Sequence, residues 1–236
     1  MLISIHLPKS GGTSFGESLK QYFGPAFRED YLDFPINTPV VKRRTHALLE
    51  SARNRFRPFD RNLCIHGHFL PLKYLFLPHR LNARYITWLR DPVERLASHY
   101  YFWKRTPESV EGQPIKRRML EENWSFERFA FGPEHRNIYG QMFWGFPSKK
   151  LDFIGITEYY EEDFKYFCNH FLGAVLDERR ANVNHEQEGH PYVTDAGLRK
   201  RIEQYHWADM VMYRNARKAR DLRMRETSSM RAAILL

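Results

Sequence analysis

The feature of this sequence that most constrains its fold is the amino-terminal stretch, where an apolar run, LISIHL at residues 2–7, passes directly into PKSGGTS at residues 8–14. Apolar side chains at helical spacing follow at Phe15, Leu19 and Phe23. The pattern predicts a β-strand, a tight loop and the start of a helix. Because the first N–H groups of a helix have no internal partners and glycines let the backbone approach a ligand closely, such a loop is typical of a phosphate-binding site.

The position of the lysine distinguishes this loop from an ordinary ATP site. In nucleoside triphosphatases the lysine follows the glycines, as in GxxxxGK[ST], whereas Lys9 precedes Gly11 and Gly12. Glycine and serine are also common in simple turns, but a lysine and three hydroxyls in one run favour phosphate binding, with the lysine neutralising a leaving phosphate. The candidate ligands are Lys9, Ser10, Gly11, Gly12, Thr13 and Ser14.

A second boundary follows the β-branched and aromatic run RYITWL at residues 84–89. Asp91 is placed as the N-cap of a helix, a proline occupies the first helical position, and Glu94 is predicted to complete a capping box. Arg90 then stands at the carboxyl end of a strand, where open α/β sheets bind ligands, and Ser98 lies two turns into the helix. An arginine in this position alone fits a structural ion pair better, but beside the first loop the two side chains predict a second phosphate site.

Two histidines flank a glycine at the end of a third run, RNLCIHGHF at residues 61–69. Because side chains alternate along a strand, His66 and His68 are predicted to lie on the same side of the sheet. Histidine, with an unperturbed pKa near ~6.5, is suited to deprotonate a hydroxyl. Isolated histidines more often serve in the core or on the surface, so the catalytic interpretation depends on the phosphate-binding loop.

The order of the predicted elements indicates the fold class. Strands alternate with helices along the chain, which favours an α/β fold with a mostly parallel central sheet flanked by helices. A length of 236 residues and a hydrophobic fraction of 42% fit a single domain spanning residues 1–236. Helices are predicted at 41–56, 125–131, 159–172, 194–207 and 208–225, a further strand at 153–157, and partial strand character at 26–34.

The composition limits the classes of binding partner and the cellular location to be expected. The net charge of +9 predicts attraction to anions such as nucleotides, acidic polysaccharides, nucleic acids or anionic lipids. Cys64 and Cys168 stand in apolar contexts and predict two isolated buried thiols. No run approaches the ~20 apolar residues of a membrane-spanning helix, and the amino terminus lacks the pattern of a signal peptide. We therefore expect no membrane span and a cytoplasmic protein, or a soluble catalytic domain from which an upstream anchor has been removed.

The two phosphate-binding motifs resemble those of a known enzyme family. Residues 8–15 resemble the 5′-phosphosulfate-binding loop of sulfotransferases that use 3′-phosphoadenosine 5′-phosphosulfate (PAPS), and residues 88–102, WLRDPVERLASHYYF, resemble their 3′-phosphate-binding strand and helix. With HGH at residues 66–68, the pattern is most similar to the heparan sulfate and uronyl 2-O-sulfotransferase branch. Weaker similarity extends through residues 153–171 to the C-terminal helices. The resemblance implies a P-loop-like sulfotransferase fold, PAPS as donor and 3′,5′-adenosine bisphosphate (PAP) as product. We expect no metal, because the protein itself supplies the positive charge.

The resemblance also implies a role for each matching residue. Lys9 matches the lysine that contacts the transferred sulfuryl group. His68 matches the favoured general base, and His66 matches a histidine that also matters. His6 stands where the relatives carry an arginine, so we do not expect identical acceptor recognition. The implied nucleotide ligands are Lys9, residues 10–14, Arg90 and Ser98, with Arg180, Asn182 and Asn184 loosely matching a loop that closes over the nucleotide.

We therefore expect in-line transfer of a sulfuryl group from PAPS to a hydroxyl of an acceptor, a saccharide or polysaccharide, with no nucleic acid as partner. On the acceptor side, basic residues either line a groove for an anionic sugar polymer or form solvated helix faces. Aromatic residues either stack on sugar or adenine rings or belong to the core. The basic candidates are Lys42, Arg43, Arg44, Arg53, Arg55, Arg57, Lys116, Arg117 and Arg118, and the aromatic ones are Trp103, Trp124, Tyr139 and Trp144.

Two other functional classes stay open at this point. A kinase-like phosphotransferase would need a lysine after the glycines and magnesium-binding carboxylates, and neither is evident in the sequence. A non-catalytic polyanion-binding module would explain the charge of +9 and the basic segment 214–225. It would leave the glycine loop and the paired histidines without a purpose.

Overall fold

Five short strands form one parallel sheet in the computed structural model, which describes residues 1–34, 38–176 and 191–234. Their order across the sheet is β2-β3-β1-β4-β5, and every neighbouring pair is parallel. The prediction of a mostly parallel sheet is therefore confirmed. The strands are β1 (Leu2–Ile5), β2 (Phe27–Glu29), β3 (Cys64–Gly67), β4 (Arg84–Leu89) and β5 (Leu151–Ile156).

Helices flank this sheet, and most of those predicted are present with shifted ends. The predicted helix at 159–172 is interrupted, because its last part, Cys168–Leu172, is a π-helical turn that ends at Gly173 in a left-handed conformation with φ of 63°. The helix predicted to end at residue 225 continues to Ile234. The helices are α1 (Gly12–Phe23), α2 (Val40–Asn54), α3 (Pro92–Arg105), α4 (Pro114–Glu121), α5 (Phe126–Ala130), α6 (Ile138–Met142), α7 (Tyr160–Phe167), α8 (Ala196–Tyr205) and α9 (Trp207–Ile234).

The two faces of the sheet follow from the alternation of side chains along β1. Leu2 belongs to a buried cluster with Phe15 of α1 and Phe164 of α7. Ile3 and Ile5 belong to a second buried cluster, which includes residues of α6 and α9. The polar side chains of β1 and β3 therefore share the face that α1 covers.

Both cysteines are buried and free, as the sequence predicts. They lie in the cluster beneath α1 and α7. Burial raises the pKa of the Cys64 thiol far above its usual range and that of Cys168 to about 11. Both side chains therefore remain neutral thiols at physiological pH and serve as small apolar groups of the core.

The N-cap of α3 forms as predicted, but the capping box does not. Asp91 Oδ1 accepts hydrogen bonds from the N–H groups of Val93 (2.9 Å) and Glu94 (3.2 Å). The Glu94 carboxylate does not return to the Asp91 N–H group, which instead donates to Glu158 Oε1 at 2.8 Å. Glu94 accepts from Arg199 on α8, which also pairs with Asp91. A long-range contact has replaced the local one, and it fastens α8 to the start of α3.

Replacing Asp91 with alanine is expected to lower the free energy of unfolding by about 1–2 kcal/mol, because the cap and the pairing with Arg199 are lost together. Urea denaturation followed by circular dichroism measures this change. Asp195→Ala is the matched control, since Asp195 caps α8 through a single N–H group, that of Leu198, at an exposed position. A loss no larger than that of the control would contradict the assigned role of Asp91.

Candidate active site

The loops that follow β1, β3 and β4 meet at the carboxyl edge of the sheet. The chain leaves β1 toward β2 on one side, and the connection from β3 leads across to β4 on the other side of β1. Such a change of direction opens a crevice outside the carboxyl ends of the strands, where α/β proteins bind ligands. The three motifs found in the sequence, at residues 8–14, 66–68 and 90–98, all lie at this edge.

The loop after β1 presents the amino end of α1. Gly11 is left-handed, with φ of 77°, and provides no side-chain cap for the helix. Lys9 also has a positive φ, 63°, which is unusual for a residue with a side chain. A Cβ atom on Gly12 would lie 1.9 Å from the His6 ring, so only glycine fits there. Ser10 and Ser14 are buried and Thr13 is exposed, so the loop offers an anion mainly backbone N–H groups.

The side chains of Lys9, in this loop, and of Arg90 and Arg105 form a group of interacting cations. The Nζ atom of Lys9 lies 3.9 Å from the centre of the Phe102 ring, and the Arg90 guanidinium lies 5.7 Å from that of Tyr192. Burial, together with the charges of Arg90 and Arg105, lowers the pKa of Lys9 to about 8. Such mutual repulsion is relieved when an anion binds among the three groups. The cluster is therefore suited to a ligand with several negative charges.

The two residues of the second predicted phosphate site differ in their exposure to solvent. Arg90 follows β4 directly and is partly exposed, whereas Ser98, two turns along α3, is only 5% exposed. Tyr139, which is fully buried, fixes the backbone at Arg90: its hydroxyl donates to the Arg90 carbonyl at 2.6 Å and accepts from the Arg90 N–H at 3.1 Å. Nothing in the sequence near Arg90 indicates this contact.

His68 has a defined tautomer. Its Nδ1 atom lies 2.5 Å from the His6 carbonyl oxygen, which can only accept a hydrogen bond. Nδ1 therefore carries the proton in the neutral ring, and Nε2 carries the free lone pair. Burial lowers the pKa of His68, although the His6 carbonyl opposes this shift. The ring is thus neutral at physiological pH and has its basic nitrogen at Nε2.

His66 lies deeper in the fold. Its Nδ1 atom is 2.8 Å from Ser4 Oγ, and the residue is only 2% exposed. Burial, and secondarily His68, lowers the pKa of His66 to about 3. As alternation predicts, His66 and His68 share one side of the sheet, since both rings stack on His6, at 5.1 and 4.2 Å between centroids. The glycine between them is required, because a Cβ on Gly67 would lie 1.8 Å from the Asp30 carbonyl oxygen.

Sequence reasoning missed the pair formed by His6 and Tyr31. The Tyr31 hydroxyl lies 3.0 Å from His6 Nδ1, and its ring meets that of His68 edge to face at 5.0 Å. Burial raises the pKa of Tyr31 to about 12, so its hydroxyl stays protonated beside the His6 ring. Tyr31 is 43% exposed and forms a wall beside His68. In the sequence, His6 stands out only as a departure from the family pattern.

The basic residues proposed for an acceptor groove lie in different environments. Lys116 is buried, and its ammonium group donates to the carbonyls of Thr106 and Ser109. Arg53 and Arg57 pair with Glu50. Arg43 and Arg44 line a cavity of about 440 Å³ whose wall includes Leu70, two residues beyond His68.

The aromatic candidates also divide into two groups. Trp124 and Tyr139 belong to the core, as the simpler of the two interpretations holds. Trp103 and Trp144 are partly exposed. Arg44 lies 4.4 Å from the Trp144 ring, beside the cavity. Of these four aromatic candidates, only Trp103 and Trp144 therefore have surface available to a ligand.

Some predictions concern parts of the chain, or kinds of ligand, that the structure does not address. Arg180, Asn182 and Asn184 lie outside the described residues. Within the described ranges, no three histidine, cysteine, aspartate or glutamate side chains are grouped as metal ligands, and the expectation that no metal is needed stays a prediction. None of the described helices combines the length and apolarity needed to cross a bilayer.

Comparison with known proteins identifies the fold. No protein-family model matches the sequence, and no curated protein matches it. The fold is similar to that of a mouse sulfotransferase, SULT7A1, complexed with PAP, with a TM-score of 0.50 and 12% identity over 94% of this chain and 88% of that one. A sulfotransferase from Alicyclobacillus acidocaldarius matches with a TM-score of 0.44 and 14% identity, over 88% of this chain and 91% of that one. The chain has the P-loop-like sulfotransferase fold.

Proposed function

We propose that this protein is a PAPS-dependent O-sulfotransferase that transfers a sulfuryl group to a hydroxyl of an acceptor, with His68 as general base. One observation carries the proposal: three features lie together at one edge of the sheet. They are the amino end of α1, which has no side-chain cap, the cations of Lys9 and Arg90, and the His68 imidazole, whose basic atom is Nε2. The mouse sulfotransferase of similar fold is complexed with PAP, which supports the choice of nucleotide.

Two phosphate sites on neighbouring strands suit a nucleotide with phosphate at both the 5′ and 3′ positions. The loop after β1 would bind the 5′-phosphosulfate through its N–H groups and Lys9. Arg90, at the end of the adjacent strand β4, would bind the 3′-phosphate, and Ser98 would add a hydroxyl. Tyr139 would keep the Arg90 backbone in place.

The proposed step balances within these residues. His68 Nε2 accepts the proton of the acceptor hydroxyl while that oxygen forms a bond to sulfur. The bond between sulfur and the 5′-phosphate oxygen breaks, and the electron pair leaves with PAP. Lys9 and the N–H groups of the loop stabilise the negative charge that develops on the sulfuryl and phosphate oxygens. Lys9 must be protonated and His68 neutral for this step.

We propose a saccharide as acceptor. The wall of the cavity lined by Arg44 includes Leu70, two residues beyond His68 in the sequence, and the Trp144 ring lies next to Arg44. Sugar rings pack on aromatic faces, and guanidinium groups bind the anionic substituents that many polysaccharides carry. The resemblance to the 2-O-sulfotransferase branch agrees with this class of acceptor, and His6 in place of arginine predicts altered acceptor recognition.

Thermal unfolding in the presence of nucleotides tests the proposed function. At a hundredfold excess over its Kd, PAP should stabilise the fold by about 2.7 kcal/mol, which corresponds to a Tm increase of roughly 5–10 °C for a chain of this size. ATP with magnesium should produce a much smaller shift. The reverse order would support a phosphotransferase, and no shift with PAP in folded protein would contradict the proposal.

The same assay tests Arg90. Arg90→Ala should lose most of the PAP shift, because the 3′-phosphate loses its charge-assisted hydrogen bonds. Arg80→Ala is the matched control, since Arg80 is exposed and precedes β4 at the opposite edge of the sheet. An unchanged shift in Arg90→Ala would remove that residue from the nucleotide site.

A further inference from the structure

Helix α2 has the opposite of the usual arrangement of polar and apolar side chains. A surface helix normally buries apolar residues and exposes polar ones. Here the buried residues of the helix are mostly polar, and several of its apolar residues are exposed. The buried residues are Arg43, Ala47, Glu50, Ser51 and Asn54. The exposed apolar residues are Val40, Val41 (77% exposed), Leu48 (50%) and Leu49 (54%), followed just beyond the helix by Phe56 (82%).

The inward orientation of the polar side is well supported by hydrogen bonds. Arg43 donates to the Thr38 carbonyl at 3.1 Å and to Gln141 Oε1 at 2.9 Å. Asn54 Nδ2 donates to the Lys73 carbonyl at 3.0 Å. Rotating the helix to bury its apolar side would break these bonds. The exposure of the apolar side is therefore fixed by the fold.

The outward residues form a stripe with charged borders. At about 100° per residue, Val41, Leu48 and Ala52 fall within about 40° of one another around the helix axis, and Leu49 lies beside them. Lys42 and Arg53 border this stripe on one side, and Arg44 and Arg55 border it on the other. We call the four apolar residues Val41, Leu48, Leu49 and Phe56, together with these four cations, the α2 outer face.

The charge of this face limits what can cover it. Residues 40–57 contain six lysines and arginines and one carboxylate, that of Glu50, which is largely buried and pairs with Arg53 and Arg57. Lys42 and Arg44 lie over the rings of Phe34 and Trp144, contacts that leave their charge uncompensated. A second copy of the chain would bring the same cations against each other, which is unfavourable. The complementary surface must be both apolar and anionic.

We propose that the α2 outer face binds the surface of an anionic lipid bilayer. An apolar stripe bordered by lysine and arginine is the arrangement by which helices lie in the bilayer interface, with apolar side chains among the acyl chains and cations at the headgroups. Cations contribute by attraction to anionic headgroups, each by about fivefold in affinity. Because Val40, Arg43 and Arg44 of α2 line the cavity that also includes Leu70, binding would hold that cavity close to the membrane.

Co-sedimentation with vesicles tests this proposal on the full chain. The protein should bind vesicles of phosphatidylcholine mixed with phosphatidylglycerol and bind vesicles of phosphatidylcholine alone much more weakly. Leu48→Ser/Leu49→Ser should reduce the binding by roughly tenfold or more. Lys42→Gln/Arg55→Gln should reduce it by roughly fivefold per charge, and only on the anionic vesicles.

The matched control is Val211→Ser/Leu222→Ser, which changes two α9 residues that are 47% and 51% exposed, close to the values for Leu48 and Leu49. The control should bind vesicles as the unmodified protein does, and circular dichroism should show that all variants unfold at similar temperatures. Absence of binding to the anionic vesicles, or an equal loss in the control, would overturn the proposal. So would sedimentation velocity showing a dimer that Leu48→Ser/Leu49→Ser converts to a monomer, because a second copy would then cover the face.

Discussion

Replacing His68 with alanine is expected to lower kcat for sulfuryl transfer by about 10²–10⁴-fold, because in the proposed mechanism His68 removes the proton of the acceptor hydroxyl. The Kd for PAP should be unchanged, since the proposed nucleotide ligands are Lys9, its loop and Arg90. Single-turnover transfer from labelled PAPS, measured beside equilibrium binding of PAP, separates the two effects.

His66→Ala is the comparison for this variant. His66 is buried and bonded to Ser4, so its removal should lower stability while the transfer rate of the folded protein is largely retained. A His68→Ala protein that keeps its kcat would move the base elsewhere. Loss of kcat in His66→Ala at unchanged stability would assign that role to His66.

The pH dependence provides a second measurement for His68. Its pKa is lowered by burial, and the base acts only in its neutral form. As the pH falls, kcat/KM should therefore stay constant through the usual histidine value near 6.5 and decline only in more acidic solution. A decline centred above pH 6.5 would show that another group limits the rate on the acid side.

Replacing Lys9 with alanine is expected to lower kcat by about 10²–10³-fold, because in the proposed mechanism Lys9 stabilises the charge that develops on the transferring group. PAP binding should be only partly lost, since Arg90 and the N–H groups of the loop remain. Lys20→Ala is the control, because Lys20 lies on the same helix with its side chain exposed and paired with Glu29. A Lys9→Ala protein with unchanged turnover would disprove the assigned role.

Lys9 also predicts how nucleotide affinity depends on pH. Its pKa is lowered to about 8, so the free protein loses this charge as the pH rises through about 8. The Kd for PAP should therefore increase between pH 7 and pH 9, and Lys9→Ala should show a weaker increase. The stability of the unliganded fold changes with pH in the opposite direction to PAP binding. With its pKa below the usual 10.5, protonated Lys9 destabilises the unliganded fold, and this penalty diminishes as the pH rises above about 8.

The parts of the fold that sequence analysis predicted well depend on local geometry. The loop after β1 requires glycines because of its left-handed turn and the closeness of His6, and the start of α3 requires the Asp91 cap. Requirements of this kind can be recognised from residues that are close together in the sequence. The capping box was wrong because Glu94 has a stronger partner 105 residues away, Arg199, which no local pattern indicates.

The sequence by itself determined the parallel α/β class and the location of the motifs at the carboxyl ends of strands, and it predicted a phosphate-bearing ligand for them. These features follow from strand and helix periodicity and from the positions of glycine, lysine and arginine, which act over one or two turns of chain. Only the tertiary structure decided the tautomer of His68, the burial of His66, the pairing of Tyr31 with His6 and the outward turn of the apolar side of α2. Each of these depends on at least one contact between residues far apart in the sequence, such as the 25 positions between His6 and Tyr31 or the 98 between Arg43 and Gln141. The free energy of such contacts is set by packing and burial rather than by local sequence.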